Sequence, residues 1–162
     1  MKKRITVIFA IMLFTLGVGF TIRPNADDLV LYPEGYRKWV HIRTGLVGPA
    51  NRNFQSNGGF HHIYANDKAM EGYVTGSFPE GSIFVFDVLE AIEKDGNTVE
   101  GKRRVVDVMI KDSIKYRSTG GWGYEEFKGN SKTERVLTET RRTVCFNCHT
   151  RQKDYIFSDW RE

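Results

Sequence analysis

The chain has 162 residues, 40% apolar and 27% charged, which excludes a disordered polypeptide and argues for one compact domain plus a short appendage. Sixteen glycines and 13% aromatic residues favour strands joined by turns over a helical bundle. Lys2, Lys3 and Arg4 hold three of the 24 lysine and arginine charges, leaving 21 against 20 acidic residues. The body is therefore nearly neutral, and nothing in it demands the dense basic face of a nucleic-acid binder.

Residues 1–20, MKKRITVIFAIMLFTLGVGF, place that basic cap ahead of an uncharged apolar run from Ile5 to Phe20. This is the layout of a secretory leader. The run lies at the lower edge of the roughly 17–25 residues that span a bilayer. Cleavage near Ala26 makes residues 1–26 a signal peptide; retention makes them an N-terminal membrane anchor. Either way residues 27–162 form the functional domain, expected in the periplasm or another extracytoplasmic space.

In chain order, the turn at Tyr32-Pro33 predicts a short helix over Glu34–Ile42, followed by a Gly-, Asn- and Pro-rich loop over 45–59. FHHIYA (Phe60–Ala65) reads as a strand, and Asp67–Thr75 as a helix capped by Asn66 or Asp67. After the turn at Phe78–Gly81, Ser82–Ile92 reads as a strand, Asp95-Gly96-Asn97 as a hairpin turn, and Val99–Lys111 as the partner strand. Gly120–Phe127 is a further strand. Ser131-Lys132-Thr133-Glu134 has the form of a capping box opening a C-terminal helix. The expected fold is α+β: an antiparallel β-sheet with short helices on one face.

That helix leads into CFNCH, residues 145–149. Two cysteines separated by two residues close too small a loop to staple a fold. Cys-x-x-Cys-His is instead the spacing of c-type haem attachment: each thiol adds to one vinyl group on the same porphyrin edge, and the adjacent imidazole points at the iron. A thioredoxin-like pair would lie near a βαβ pattern, and a zinc site would need a second pair of ligands. The expected cofactor is one covalently attached heme c, with Cys145 and Cys148 as attachment points and His149 as axial ligand. Only 13 residues follow His149, none of them Met or His. A sixth ligand would come from His41, His61, His62, Met70 or Met109, each of which has an ordinary place in a helix, strand or core.

The segments YPEGYRKWVHI (32–42), HHIYAN (61–66), FPEGSIFVF (78–86), VMIKD (108–112), GGWGYEEF (120–127), CFNCH (145–149) and DYIFS (154–158) together resemble the cytochrome P-460 and cytochrome c′-β family over nearly all of 32–158. The resemblance implies a β-rich homodimer with a haem near the C-terminus, a five-coordinate iron with one open face, and His149 as the proximal ligand. Hydroxylamine-oxidising members carry a strand lysine cross-linked to the porphyrin. Phe86 stands at that place here, in SIFVFDVL, which has no lysine; Lys68 and Lys94 only flank it. Those members also favour a pocket carboxylate just before the haem motif, where this chain has Thr143-Val144. Both departures resemble the c′-β branch, whose distal pocket is lined with phenylalanine.

Phe86 is thus the first candidate for the distal cap, with Phe60 or His61 second. Arg141, Arg142 and Arg151 are candidates to pair with haem propionates. An apolar cap disfavours water and anions, whereas neutral NO and CO lose little hydration on entry. Three readings follow: a protein that binds NO or a related small ligand, an oxidoreductase of hydroxylamine or nitrogen oxides, and a single-haem electron carrier with a redox partner protein.

Overall fold

A computed structural model describes residues 29–52 and 54–161; the leader expected over 1–26 lies outside them. Its centre is one antiparallel sheet in which neighbours in sequence are neighbours in space: β1 (Val40–Val47), β2 (Gly59–Ala65), β3 (Ile83–Lys94), β4 (Asn97–Lys111) and β5 (Trp122–Lys128). Three helices accompany it, α1 (Phe54–Asn57), α2 (Asp67–Thr75) and α3 (Glu139–His149). Among the described residues no helix is long and apolar enough to cross a membrane. The α+β expectation holds.

Local chemistry explains several boundaries. The β3–β4 turn places Asp95 and Gly96 at φ 52° and 77°, the pair of positive values that matches the twist of a two-residue hairpin. Asn66 caps α2 by accepting from the Ala69 amide, and also accepts from the Ile83 amide and donates to the Gly81 carbonyl. One side chain thereby fixes both the start of α2 and the start of β3.

Two boundary expectations are corrected. The helix expected over Glu34–Ile42 is a single 3-10 turn, Tyr36–Lys38, with β1 starting at Val40, and the expected 45–59 loop gives its first residues to β1 and carries α1 over Phe54–Asn57. Pairing with β2, Val40 opposite Ala65 through Val47 opposite Gly59, overrides the weak helical spacing of this segment. The Ser131 hydroxyl does accept from the Thr133 and Glu134 amides, but only in a turn. Arg135 then bridges to Phe127, and the helix starts later, where Thr138 accepts from the Arg141 amide.

The sheet has two unlike faces. One carries Ile42, Ala65, Phe84, Met109, Trp122 and Tyr124, with α2 and the Cys145–Phe146 turn of α3 packed over it. The other carries Val85, Val106, Val108 and Phe127 beneath the N-terminal segment at Val30 and Tyr36. Asp87 lies fully buried on this second face. It accepts from Tyr36 Oη at 2.7 Å, Arg37 Nη2 at 2.8 Å and Arg103 Nε at 2.7 Å.

Candidate functional site

Helix α3 is fastened to β5 by a buried ionic contact. Glu125, 1% exposed, accepts from Arg142 Nη2 at 2.8 Å and Arg135 Nη1 at 2.9 Å. Arg142 also reaches the Tyr124 carbonyl. Two guanidinium groups compensate the buried carboxylate, so the contact holds the helix in place rather than leaving a lone charge under it.

The far end of α3 carries the motif. Cys145 is half-buried, Cys148 exposed, and both are free thiols. Burial first, then the charges of Asp107 and Glu126, push the Cys145 thiol up. His149 Nδ1 donates to the Tyr155 carbonyl at 2.6 Å, and the ring lies 5.3 Å from that of Tyr124 and 5.0 Å from that of Phe157. Burial lowers the pKa of His149, which favours the neutral imidazole. With Nδ1 committed as a donor, Nε2 holds the free lone pair. Asp154 and Tyr155 both lie in the left-handed region, φ 50° and 67°, and this sharp reversal brings the carbonyl back to the histidine. Gly120 leaves room for it: a Cβ there would stand 2.3 Å from the Tyr155 hydroxyl.

Between α3 and the sheet is a cavity of about 430 Å³. Cys145 and His149 line one side; Ile63, Phe84, Phe86, Asp107, Met109, Tyr124 and Glu126 line the strand side. Register explains the choice. Ile63, Phe86, Asp107 and Glu126 form one cross-strand row, and Ala65, Phe84, Met109 and Tyr124 the next along the same face. No lysine or arginine is among the described residues that line it.

The expected distal residues separate on this basis. Phe86 lines the cavity, and His61 stands beside it with ring centroids 4.7 Å apart. His61 Nε2 lies 2.6 Å from the Asn57 carbonyl, and burial lowers its pKa. Phe60 does not join them: it stacks on His62, whose row contains Thr44 and Asp87 on the opposite face. His62 and His41 both contact the Thr44 hydroxyl there at 2.8 Å. Met70 packs against the core under α2, and Met109 lines the cavity next to the tyrosine that touches His149. Arg142 is held by Glu125, while Arg141 and Arg151 are exposed.

Three residues of the cavity escaped the sequence reading: Asp107, Glu126 and Tyr124. Asp107 was legible as a lone charge in the apolar run VVDVMI. Its partner was not, because Glu126 reaches it only through the β4–β5 register. The Tyr124 hydroxyl is buried with no hydrogen-bond partner among the described residues. An orphaned hydroxyl, apolar walls and a Cys–Cys–His set at the mouth fit a haem group, which Cys145, Cys148 and His149 could hold.

A model of the cytochrome P460 family matches residues 33–158, a span that includes every strand and the whole 145–149 motif. A search of curated proteins returns no match. With a haem-compatible cavity built from the matched segment itself, the chain belongs to the cytochrome P460 family.

Proposed function

We propose that this cytochrome is an extracytoplasmic mono-haem protein that binds NO or a related small nitrogen-oxide or diatomic ligand. Cys145 and Cys148 hold a heme c through thioether bonds, and His149 is the proximal ligand. The observation that carries the reading is that Cys145, His149 and Phe86 line one cavity. Bound there, the haem supplies an iron centre able to take small ligands. The chain supplies the rest. The Tyr155 carbonyl fixes the tautomer and orientation of His149. Phe86, Phe84 and Ile63 make the β2–β3 part of the strand wall apolar, so an anion entering there loses hydration without compensation, while a neutral diatomic loses little.

The absence of lysine from the described cavity lining supports this reading over that of a cross-linked enzyme. A specific observation favours the second reading, oxidation of hydroxylamine or turnover of a nitrogen oxide: the carboxyl groups of Asp107 and Glu126 on the same wall can move protons. The carrier reading has Met109 as its strongest sixth-ligand candidate, but that residue is packed among Phe84, Trp122 and Tyr124. We further propose a homodimer, on the family resemblance, and a redox partner protein.

Acid–acetone extraction tests the attachment. The haem should stay with the denatured chain and raise its mass by one haem; free haem in the extract overturns the reading. A visible spectrum of the holoprotein then separates the functions. Broad high-spin features are expected. Sharp reduced α and β bands would indicate a six-coordinate carrier, and a strongly red-shifted ferrous Soret band a cross-linked haem. Sedimentation of the leaderless protein at micromolar concentration should show a dimer; monomer alone contradicts it.

A further inference from the structure

Asp107 and Glu126 are directly paired across β4 and β5, on the cavity face. Directly opposed residues of an antiparallel pair stand about 4.5–5.5 Å apart at Cβ, so the two carboxyl groups confront each other and repel unless they share a proton. Burial first, then the charge of Glu126, raises the pKa of Asp107 well above the ordinary carboxylate value. No lysine or arginine stands among the described cavity residues to neutralise the pair. The third acid there, Glu125, is already compensated by Arg135 and Arg142. The remaining titratable groups facing the cavity are Tyr124 on β5 and Cys145 and His149 on α3. Burial raises the pKa of Tyr124, which holds the phenol neutral; in the haem-bound protein Cys145 is a thioether without a proton and His149 is taken up as the proximal ligand. The same cavity contains the Tyr124 hydroxyl, more than nine-tenths buried and without a hydrogen-bond partner among the described residues.

We propose that Asp107 and Glu126 form a proton-exchanging pair on the wall of the haem cavity, and that the cavity consequently takes small neutral weak acids, HX, in preference to their anions. The inference rests on the haem reading above. The balance is simple. HX enters without charge, which the apolar walls permit. Binding of X⁻ leaves one proton behind, and the unprotonated carboxylate accepts it. The pair passes from one shared proton to two, and from one negative charge to none. The negative charge brought in by X⁻ replaces the one lost by the pair, so net charge in the cavity is unchanged and no counter-ion has to follow. An anion arriving alone would instead add a second negative charge beside the first, in a site with no free cation among its described residues.

The test uses the ferric holoprotein with two probes: cyanide, at a pH where it is chiefly HCN in solution, and imidazole, a neutral ligand that needs no proton removed. The double variant Asp107→Asn/Glu126→Gln should slow cyanide association by roughly 10²-fold, the usual contribution of a positioned base. Imidazole association should stay within about twofold of the native rate. Equal cyanide rates in the two proteins overturn the proposal, as does equal slowing of both probes, which would indicate a disturbed cavity. Infrared spectroscopy supplies a readout that needs no ligand. The native protein near neutral pH should show the carboxyl band of a protonated acid, lost in the single variant Asp107→Asn. Its absence from the native spectrum overturns the shared proton. If acid–acetone extraction shows no covalent haem while the band is present, the haem reading fails and the proton pair stands, so the two failures are distinguishable.

Discussion

Asp87 on β3 and Asp107 on β4 lie on adjacent strands, one residue out of register, on opposite faces of the same sheet. Asp87 faces a tyrosine hydroxyl and two guanidinium groups. Burial alone would push its pKa up, but the hydrogen bonds from Arg103, Tyr36 and Arg37 outweigh it and hold the carboxyl below the usual range. Asp107 faces another carboxyl and is pushed the other way. The contrast distinguishes two uses of an acid, one fully buried and one half-buried on a cavity wall. A carboxylate surrounded by donors ties the N-terminal segment and the long hairpin to the sheet. A carboxyl set against its like ties nothing down, and it lines the cavity that Cys145 and His149 also line; perturbed groups of that kind mark functional sites.

Breaking the first cluster should have the largest effect. Asp87→Ala leaves the Arg103 side chain, 17% exposed, without its counter-charge. Removing one partner of a buried ion pair costs about 3–5 kcal/mol, measurable as a lower urea midpoint. Asp107→Asn, by contrast, should cost less than about 1 kcal/mol, because it relieves the repulsion between two directly opposed acids. A loss as large as that of Asp87→Ala would erase the distinction between the two faces.

The next effect concerns Phe86. Its ring is half-buried, so Phe86→Ala should cost less than the roughly 3–5 kcal/mol of a fully buried phenylalanine. The decisive reading is kinetic. Flash photolysis should show faster CO association in Phe86→Ala and no change in Phe60→Ala, since Phe60 stacks on His62 on the opposite face. Equal rates in native and Phe86→Ala protein would remove Phe86 as the cap and leave His61 the candidate.

Smaller, but opposite in sign on the two faces, is the dependence of stability on pH. The pKa of Asp87 is lowered on folding, so its contribution is present above the unfolded value of about 3.9 and is lost as pH falls through the folded value. The pKa of Asp107 is raised, so its cost is absent below about 3.9 and grows as pH climbs toward the folded value, by at most about 1.4 kcal/mol per pH unit. Urea titrations across pH should therefore show a decline on the alkaline side that Asp107→Asn abolishes and an acid-side decline that it leaves intact.

How much of this was legible in the sequence follows the range of each interaction. Features set within a few residues read correctly: the Asp95-Gly96 turn and the Asn66 cap. β1 was misread because Tyr36–Ile42 supports either helix or strand locally, and only β2 decides between them. The Ser131 box was real as a hydrogen-bond pattern and wrong as a helix start, since the bridge at Arg135 pulls the chain onto β5 first. Phe86 was reachable through family resemblance, and its neighbour His61 through strand alternation. The pairing of Asp107 with Glu126 was not, because what joins them is a register across two strands 19 residues apart, which composition and period cannot supply.

The hydrogen bond from His149 to Tyr155 has a bearing on mutational tolerance. Its acceptor is a backbone carbonyl, so no change of side chain at position 155 can delete it. What can disturb it is the chain path, since Asp154 and Tyr155 must both keep positive φ. Asn and Gly meet that demand easily and β-branched residues do not. The orientation of the imidazole is thus insured against most substitutions of its partner, and its vulnerability moves to the shape of a two-residue bend.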